Sequence, residues 1–235
     1  MLDVAVERVR AEGLQLDYAN IELEDLIRAA GVPRSTVFRI WPDRVSFVAD
    51  LVRALFDADP GFDTGFDEKT LSLIAQSAGP DAHTKTAAER GEALREVLRA
   101  AVAHNVVAVE DTVAWRAYKT MSAALASGDV VPGGDEIRAL LSEIEDRYLD
   151  RMAEIYRDLN AAFGLRMREG TTERDLAVAI VAMIDGMSDH RRINQPMVDA
   201  PRAVALGPEG TREWHLAAIA VYGIYDAFTV ADGSD

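Results

Sequence analysis

Apolar residues recur along most of the chain at a spacing near 3.6 residues, the period of an amphipathic α-helix. No run of alternating apolar and polar residues bounded by hairpin turns indicates a strand. The pattern therefore predicts an all-α fold of about nine helices. The first three are predicted at residues 2–12, 23–30 and 33–41. The fourth is predicted to begin at residue 44, because Asp43 before it is a favourable N-cap.

A stretch rich in glycine and proline, residues 57–89, follows these helices and is predicted to hold one short helix at 68–76. Beyond it, three more helices are predicted. One lies around residues 94–105, the next ends at Gly128, and the third covers the long apolar stripe of residues 135–163. Thr171 or Thr172 is expected to cap the next helix, with Asp175 in a capping box. A last helix is predicted over residues 211–230.

The length and the charge distribution predict a small N-terminal domain, residues 1–46, and a larger helical body, residues 47–235. A net charge of −15 excludes a general nucleic-acid binder, because affinity for phosphate depends on clustered lysine and arginine. Residues 1–55 carry seven basic and nine acidic groups, against 18 and 31 in residues 56–235. The acidity therefore lies mostly outside the N-terminal part.

The residue types exclude several kinds of chemistry. The absence of cysteine excludes disulfides, thiolate catalysis and zinc sites built on cysteine. No two of the four histidines are three or four residues apart, so none form a metal-binding pair on one helix face, and we expect no metal and no cofactor. The apolar runs are shorter than the roughly 18 residues of a membrane span, and no secretory signal is present. We therefore expect a cytoplasmic protein without a membrane partner.

Residues 22–47 have the pattern of two short helices joined by a tight turn. Leu26 and Ile27 are predicted to anchor the first helix, and Gly31 allows the chain to leave it sharply. Apolar side chains are predicted to hold the second helix against a core (Val37, Ile40 and Trp41). Its other residues are predicted to face outward, where a recognition helix meets DNA (Arg34, Ser35, Thr36, Phe38 and Arg39).

The run GVPRSTVFRIWPDR, residues 31–44, resembles the end of the helix-turn-helix of the tetracycline-repressor family. Gly-Val-Ser, a threonine, an aromatic pair and Trp-Pro or Phe-Pro recur in that order in the family. The resemblance in residues covers about a tenth of the chain, and the rest is a likeness of layout. It implies a transcriptional regulator, usually a repressor, that binds palindromic operator DNA as a homodimer and releases it when a small hydrophobic ligand enters the helical body.

The resemblance also implies roles for individual residues. Arg34, Thr36 and Arg39 would contact bases or phosphates from the recognition helix, and Arg44 would contact phosphate from the next helix. Trp41 and Pro42, in contrast, would have structural roles.

Some features of the N-terminal part depart from the family pattern. The chain begins almost at its first helix, without a basic arm, and the loop of residues 14–21 is longer than is usual in the family. Glu24 and Asp25 lead the second helix, where carboxylates disfavour phosphate, and Phe38 replaces a frequent tyrosine. These departures leave an alternative open, in which a protein of the same fold has lost operator binding and binds only ligands or a protein partner.

Two further sets of site residues are predicted for the helical body. Adaptable aromatic and thioether side chains are candidates for the wall of a ligand pocket (Trp115, Tyr118, Met121, Tyr148, Met152, Met183 and Met187). Asn105 is a candidate to orient the ligand, because a polar side chain on the apolar stripe of its helix needs a partner. The last two helices would pair across a dimer axis (Ile180, Ile184, Ala218 and Tyr222). Ligand binding is expected to shift the fourth helix and thereby change the distance between the DNA-binding parts of the two subunits.

An enzymatic function has one weak signal, His190 following Asp185 and Asp189 at a helix end. A histidine at a helix C-terminus beside two arginines is favoured by the helix dipole, and this structural interpretation accounts for it better. We therefore expect no catalytic residues.

Overall fold

The computed structural model describes residues 1–14, 22–59, 62, 66–78, 85–127 and 133–232. Helices dominate these residues, and the predicted all-α class is confirmed. The sequence predicts a long loop at residues 14–21, and residues 15–21 of it lie outside the described residues. Gly128 and residues 79–84 also lie outside them. No described helix is long and apolar enough to span a bilayer.

Contact density divides the chain into two compact units, residues 1–62 with 111–147 and residues 63–110 with 148–235. The first unit therefore takes in more of the chain than the N-terminal domain predicted at residues 1–46. It contains six helical segments among its described residues: α1 (Leu2–Glu12), α2 (Leu23–Ala30), α3 (Arg34–Ile40), α4 (Arg44–Asp57), α8 (Val113–Ala126) and the start of α9 (Gly134–Phe163).

The core of the first unit is built on α4, whose Phe47 and Leu51 are almost completely buried. Side chains from α1 and α2 and Ala117 of α8 pack into the same cluster. Asp43 caps α4 as predicted, because its carboxylate accepts a hydrogen bond from the Ser46 N–H at 2.8 Å. The short helices α2 and α3 are thus held on a longer, well-capped helix.

The second unit consists of helices and two pairs of short strands. Its helical segments, besides the later part of α9, are α5 (Glu68–Ala78), α6 (Ala87–Val97), a π-helical segment (Leu98–Val102), α7 (Ala103–Asp111), α10 (Glu173–Ile193), α11 (Gln195–Asp199) and α12 (Leu216–Phe228). Thr172 and Asp175 form the predicted capping box at the start of α10. Leu176 and Ala177 of that helix are fully buried.

The strands correct the sequence prediction in two places. β1 (Leu165–Met167) pairs antiparallel with β4 (Thr229–Ala231), and β2 (Arg202–Ala205) with β3 (Thr211–Trp214). Residues 211–214 therefore belong to a hairpin, and the last helix begins at Leu216 instead of residue 211. The His215 ring caps this helix by accepting a hydrogen bond from the Ala217 N–H at 3.2 Å.

Candidate DNA-reading helix and ligand cavity

The turn between α2 and α3 is closed by backbone hydrogen bonds. Gly31 has a φ of 63°, in the left-handed region that strains any side chain with a Cβ, so glycine suits this position. Its N–H bonds to the carbonyls of Ile27 and Arg28, and the Val32 N–H bonds to Ile27 as well. Pro33 then precedes α3 with an extended ψ of 130°, which sets the direction of the second helix.

Two side chains anchor the inner face of α3, Val37 by its burial and Trp41 by its contacts with α4. Val37 is 2% exposed, and the ring of Trp41 lies edge-on to Phe47 with 5.2 Å between the ring centroids. The Trp41 indole N–H donates to an Asp50 carboxylate oxygen at 2.8 Å. Ile40, which the sequence places against the core, is instead 55% exposed. A helix of only seven residues buries a narrow face, and Val37 occupies it.

The outward face of α3 brings together the residues predicted to contact DNA. Arg34, Ser35, Phe38 and Arg39 are exposed, and Thr36 is half-buried. The guanidinium of Arg34 lies over the Phe38 ring, 5.2 Å from its centroid. Within the described part of the chain, Arg39 has no ion-pair partner. Arg44 follows at the first position of α4 and is half-buried.

The structure shows a contact that the sequence did not predict. The acidic residue Glu24 of α2 forms an ion pair with Arg34 of α3 at 3.0 Å, across the turn. Asp25 similarly pairs with Arg28 at 3.2 Å, within α2. The acidic start of α2 therefore neutralises particular arginines, one of which belongs to the predicted DNA-contacting set. Nothing in the linear spacing of Glu24 and Arg34 indicates this pair, because it depends on the turn at Gly31.

A partly enclosed cavity of about 40 Å³ lies within the second unit. Its wall comes from α5, α6, the π-helical segment, α7, α9, α10 and α12. The described residues that line it are almost all apolar, and none carries a charge (Phe66, Thr70, Ile74, Leu94, Val97, Leu98, Ala101, Val102, Asn105, Tyr156, Leu159, Ile180, Ile184, Val221 and Tyr225).

The predicted pocket residues largely miss this cavity, since Asn105 alone among them lines it. Trp115, Tyr118 and Met121 belong to α8 in the first unit, where Met121 is fully buried. The other four are in the second unit but pack around its apolar core away from the cavity wall (Tyr148, Met152, Met183 and Met187). Of these seven, Met121 and Met152 are buried and the other five are half-buried.

Tyr225 is a polar side chain of the cavity wall that is 1% exposed, as is Thr70. Within the described part of the chain its hydroxyl has no hydrogen-bond partner. Its ring packs edge-on against Tyr156, with 5.9 Å between the centroids. Burial raises the pKa of the Tyr225 hydroxyl well above its usual value, so this group is neutral and keeps its proton.

The helix α5, which carries two lining residues, is tied to α7 by one carboxylate. One Asp67 oxygen accepts a hydrogen bond from the Thr70 N–H at 2.9 Å, and the other lies 2.8 Å from Nε2 of His104. Partial burial disfavours ionisation of Asp67, but hydrogen bonds from Thr70 and His104 hold its pKa below the usual value. The carboxylate therefore stays charged and fixes the start of α5.

Solved structures similar to this one are regulators. The flavonoid-responsive regulator FrrA aligns with a TM-score of 0.50 at 16% identity, over 97% of this chain and 96% of that chain. A protein from Rhodococcus sp. described as a TetR-family transcriptional regulator aligns with a TM-score of 0.47 at 14% identity, over 96% of this chain and 94% of that chain. SmeT, the repressor of the Stenotrophomonas maltophilia multidrug efflux pump SmeDEF, aligns with a TM-score of 0.45 at 16% identity, over 99% of this chain and 92% of that chain.

The chain has the tetracycline-repressor fold. The architecture of an N-terminal helix-turn-helix followed by a helical body is the one that the sequence resemblance predicts. At 14–16% identity the likeness establishes the fold alone. No protein-family model matches the sequence, and no curated protein matches it.

In this tetracycline-repressor fold, three of the residues predicted at a dimer interface are buried within their own chain, and Tyr222 is half-buried. Ile180 and Ile184 line the cavity, and Ala218 is fully buried. The Tyr222 hydroxyl donates to the Leu206 carbonyl at 3.3 Å. Among the exposed positions of the same helices, some are small or apolar (Val178, Ala182, Gly223 and Ala227), and others are charged or polar (Asp175, Asp189, His190, Arg192 and Asp226).

Proposed function

We propose that the protein is a transcriptional regulator that binds operator DNA as a homodimer and responds to a small hydrophobic ligand. The observation that carries this proposal is the geometry of α3. Val37 and Trp41 fix its inner face, and its outer face presents cationic and hydroxyl side chains together. A rigid helix that presents such a face is what reading base edges in the major groove requires.

Arg39 is the residue on which DNA binding depends most. Arginine reads guanine through two parallel hydrogen bonds or contacts phosphate, and an arginine without an internal partner does not have to break an ion pair first. Arg34 is paired with Glu24, so its contact with DNA requires exchange of one carboxylate for another anion. We expect Arg39 to contribute more than Arg34.

A homodimer would present two copies of α3 to a two-fold operator, with half-sites about one helical turn, roughly 34 Å, or a multiple of it apart. The exposed small and apolar residues of α10 and α12 support a four-helix contact between copies, because small side chains allow helices to approach closely. Light scattering should then give about twice the chain mass of 25.6 kDa. A monomer at all concentrations would contradict the dimer.

The ligand would enter the cavity of the second unit and lower the affinity for DNA, as in a repressor that is relieved by its inducer. Such coupling requires that the ligand bind the DNA-free state more tightly than the DNA-bound state. FrrA, which shares the fold, is a flavonoid-responsive regulator, and this supports a small-molecule response here.

The proposal is tested by binding of the purified protein to a DNA fragment from upstream of its own gene. Arg39→Ala should weaken binding by about tenfold or more, the effect of losing one good base contact. Arg157→Ala removes an equally exposed arginine from the second unit and is the matched control, which should bind like the wild type. Equal affinity of Arg39→Ala and wild type would show that α3 does not read DNA.

A second candidate is a protein of the same fold that has lost operator binding and acts through a ligand or a protein partner. The Glu24–Arg34 pair favours it, because a carboxylate at this face repels phosphate. Affinity for DNA that does not change with salt concentration would support this candidate. Arg39→Ala would then leave every activity of the protein unchanged.

A further inference from the structure

The helix α3 exposes two large apolar side chains. Phe38 is 36% exposed and Ile40 is 55% exposed. Among the residues that the structure describes, the other large apolar side chains with comparable exposure all lie in the second unit (Val107, Val178, Ile193 and Met197). A single exposed apolar residue is common on a protein surface, whereas two on one seven-residue helix that also presents arginines indicate a contact surface.

The period of the helix determines where these two side chains lie on the outward face of α3. Residues four apart on a helix lie one above the other. The outward face therefore consists of three rows of exposed or half-buried side chains (Arg34 with Phe38, Ser35 with Arg39, and Thr36 with Ile40). About 100° separates neighbouring rows, so Phe38 and Ile40 lie on opposite edges of the face, with Arg39 between them.

Phe38 and Ile40 differ in how far their own chain covers them. The Arg34 guanidinium lies over the Phe38 ring, 5.2 Å from its centroid, and it also pairs with Glu24 at 3.0 Å. Ile40 is on the other edge of the face, and more than half of its side chain is in water. The apolar surface that α3 leaves open to a partner is therefore larger at Ile40.

The major groove of DNA offers one kind of group that suits an isoleucine. Its base edges present hydrogen-bond donors and acceptors, and the one apolar group among them is the C5-methyl group of thymine. Isoleucine neither donates nor accepts a hydrogen bond, so contact with a phosphate or with another base edge would remove water from polar groups without replacing it. The guanidinium of Arg39, in the next row, complements the charge of phosphates and favours DNA over an apolar protein surface as the partner of this edge.

We propose that Ile40 is a specificity-determining residue, which contacts the C5-methyl group of a thymine at a fixed position in each operator half-site. The inference rests on the proposed function, because it requires α3 to lie in the major groove. It adds a base contact that depends on shape and apolar burial to the polar contact expected of Arg39. The competing occupant of this edge is an apolar surface of a protein partner, whose binding would not depend on thymine methyl groups.

Two DNA fragments that differ only in methyl groups test this contact. The fragment from upstream of the gene is amplified once with thymidine triphosphate and once with deoxyuridine triphosphate. Uracil then replaces thymine outside the primers, and every Watson–Crick pair is retained. Binding of the full chain to each fragment is measured by gel shift at one salt concentration. Burial of one methyl group is worth about fourfold in affinity, so a contact in both half-sites should make the wild type prefer the thymine fragment by roughly tenfold.

Variants assign that preference to a residue. Ile40→Ala removes most of the apolar side chain and should lower the preference to about twofold or less. Its unfolding temperature should stay close to that of the wild type, because more than half of the side chain is already in water. Ile40→Val keeps a branched apolar side chain and should keep most of the preference. Ile193→Ala makes the matched change at an exposed isoleucine of the second unit and should bind both fragments like the wild type.

The outcomes separate this inference from the proposed function. Loss of the preference in Ile40→Ala but not in Ile193→Ala would support the thymine contact. Equal binding of both fragments by the wild type, with an affinity that falls as salt rises, would overturn the contact and leave the regulator proposal standing. A preference that Ile40→Ala retains in full would overturn the role of Ile40 in the same way. Binding to neither fragment would overturn both proposals.

Discussion

The outer face of α3 and the cavity of the second unit differ in how a partner would be recognised. The face of α3 is exposed and charged, and its ion pairs lie in water, where each is worth about 1 kcal/mol or less. The cavity is partly enclosed and mostly apolar, and none of the described residues that line it carries a charge. Recognition of DNA should therefore depend on salt, and recognition of the ligand on shape and apolar contact.

The largest effect is expected on the free energy of unfolding, from a change in the core residue against which Trp41, at the end of α3, packs. Phe47→Ala removes a fully buried ring that contacts Trp41 and should lower the free energy of unfolding by about 3–5 kcal/mol. Phe38→Ala removes a ring on the exposed face of α3 and should change it by about 0.5 kcal/mol or less. Urea denaturation of both variants measures the difference. Similar losses for the two would show that α3 is not held as described.

A partly buried ion network in the second unit gives the next effect. Arg191 pairs with Glu110 at 2.7 Å and with Asp199 at 2.8 Å, and its side chain is 14% exposed. The hydrogen bond from Arg191 lowers the pKa of Asp199 from 3.8 to about 2. Because the folded-state pKa is the lower one, Asp199 stabilises the fold by about 2 kcal/mol above roughly pH 4, and this is lost as the pH falls towards about 2.

Asp199→Asn should remove that part of the acid dependence. The measurement is the free energy of unfolding between about pH 5 and pH 2, and the variant should lose less stability over this range than the wild type. Asp158→Asn alters an exposed aspartate of α9 and should keep the acid loss. Parallel curves for wild type and Asp199→Asn would contradict the role given to the Arg191 network.

The smallest effect tests the ion pair on the reading face. Glu24→Gln removes the carboxylate that neutralises Arg34 and should raise DNA affinity by roughly twofold to fivefold, with a salt slope steeper by about one. Glu7→Gln breaks a similar exposed pair with Arg10 on α1 and is the control. Unchanged or weaker DNA binding by Glu24→Gln would show that the pair does not compete with phosphate.

The helices and the turn could be predicted from the sequence because their signals are local. Apolar spacing, Gly31, and the Thr172–Asp175 capping box each act within a few residues. The β2–β3 hairpin was missed, although a five-residue link with Gly207 and Gly210 between short strands is a hairpin signal. Its strands are only four residues long.

The cavity and the ion pair on α3 could not be predicted in the same way, because they depend on tertiary packing. Tyr225, Thr70 and Tyr156 come from three distant segments, and nothing in their spacing places them at one cavity. Asn105 was identified because a polar residue on an apolar stripe needs a partner or a ligand. The buried positions of Ile180 and Ile184 likewise depend on which face of α10 the core covers.

The salt dependence of binding to DNA from upstream of its own gene tests the central claim most directly. The account predicts that the logarithm of the association constant falls linearly with the logarithm of salt concentration, because arginines on and beside α3 displace counterions from phosphates. It also predicts that Arg39→Ala binds more weakly across the whole series. Undetectable binding, or an affinity that is independent of salt and of Arg39, would contradict it.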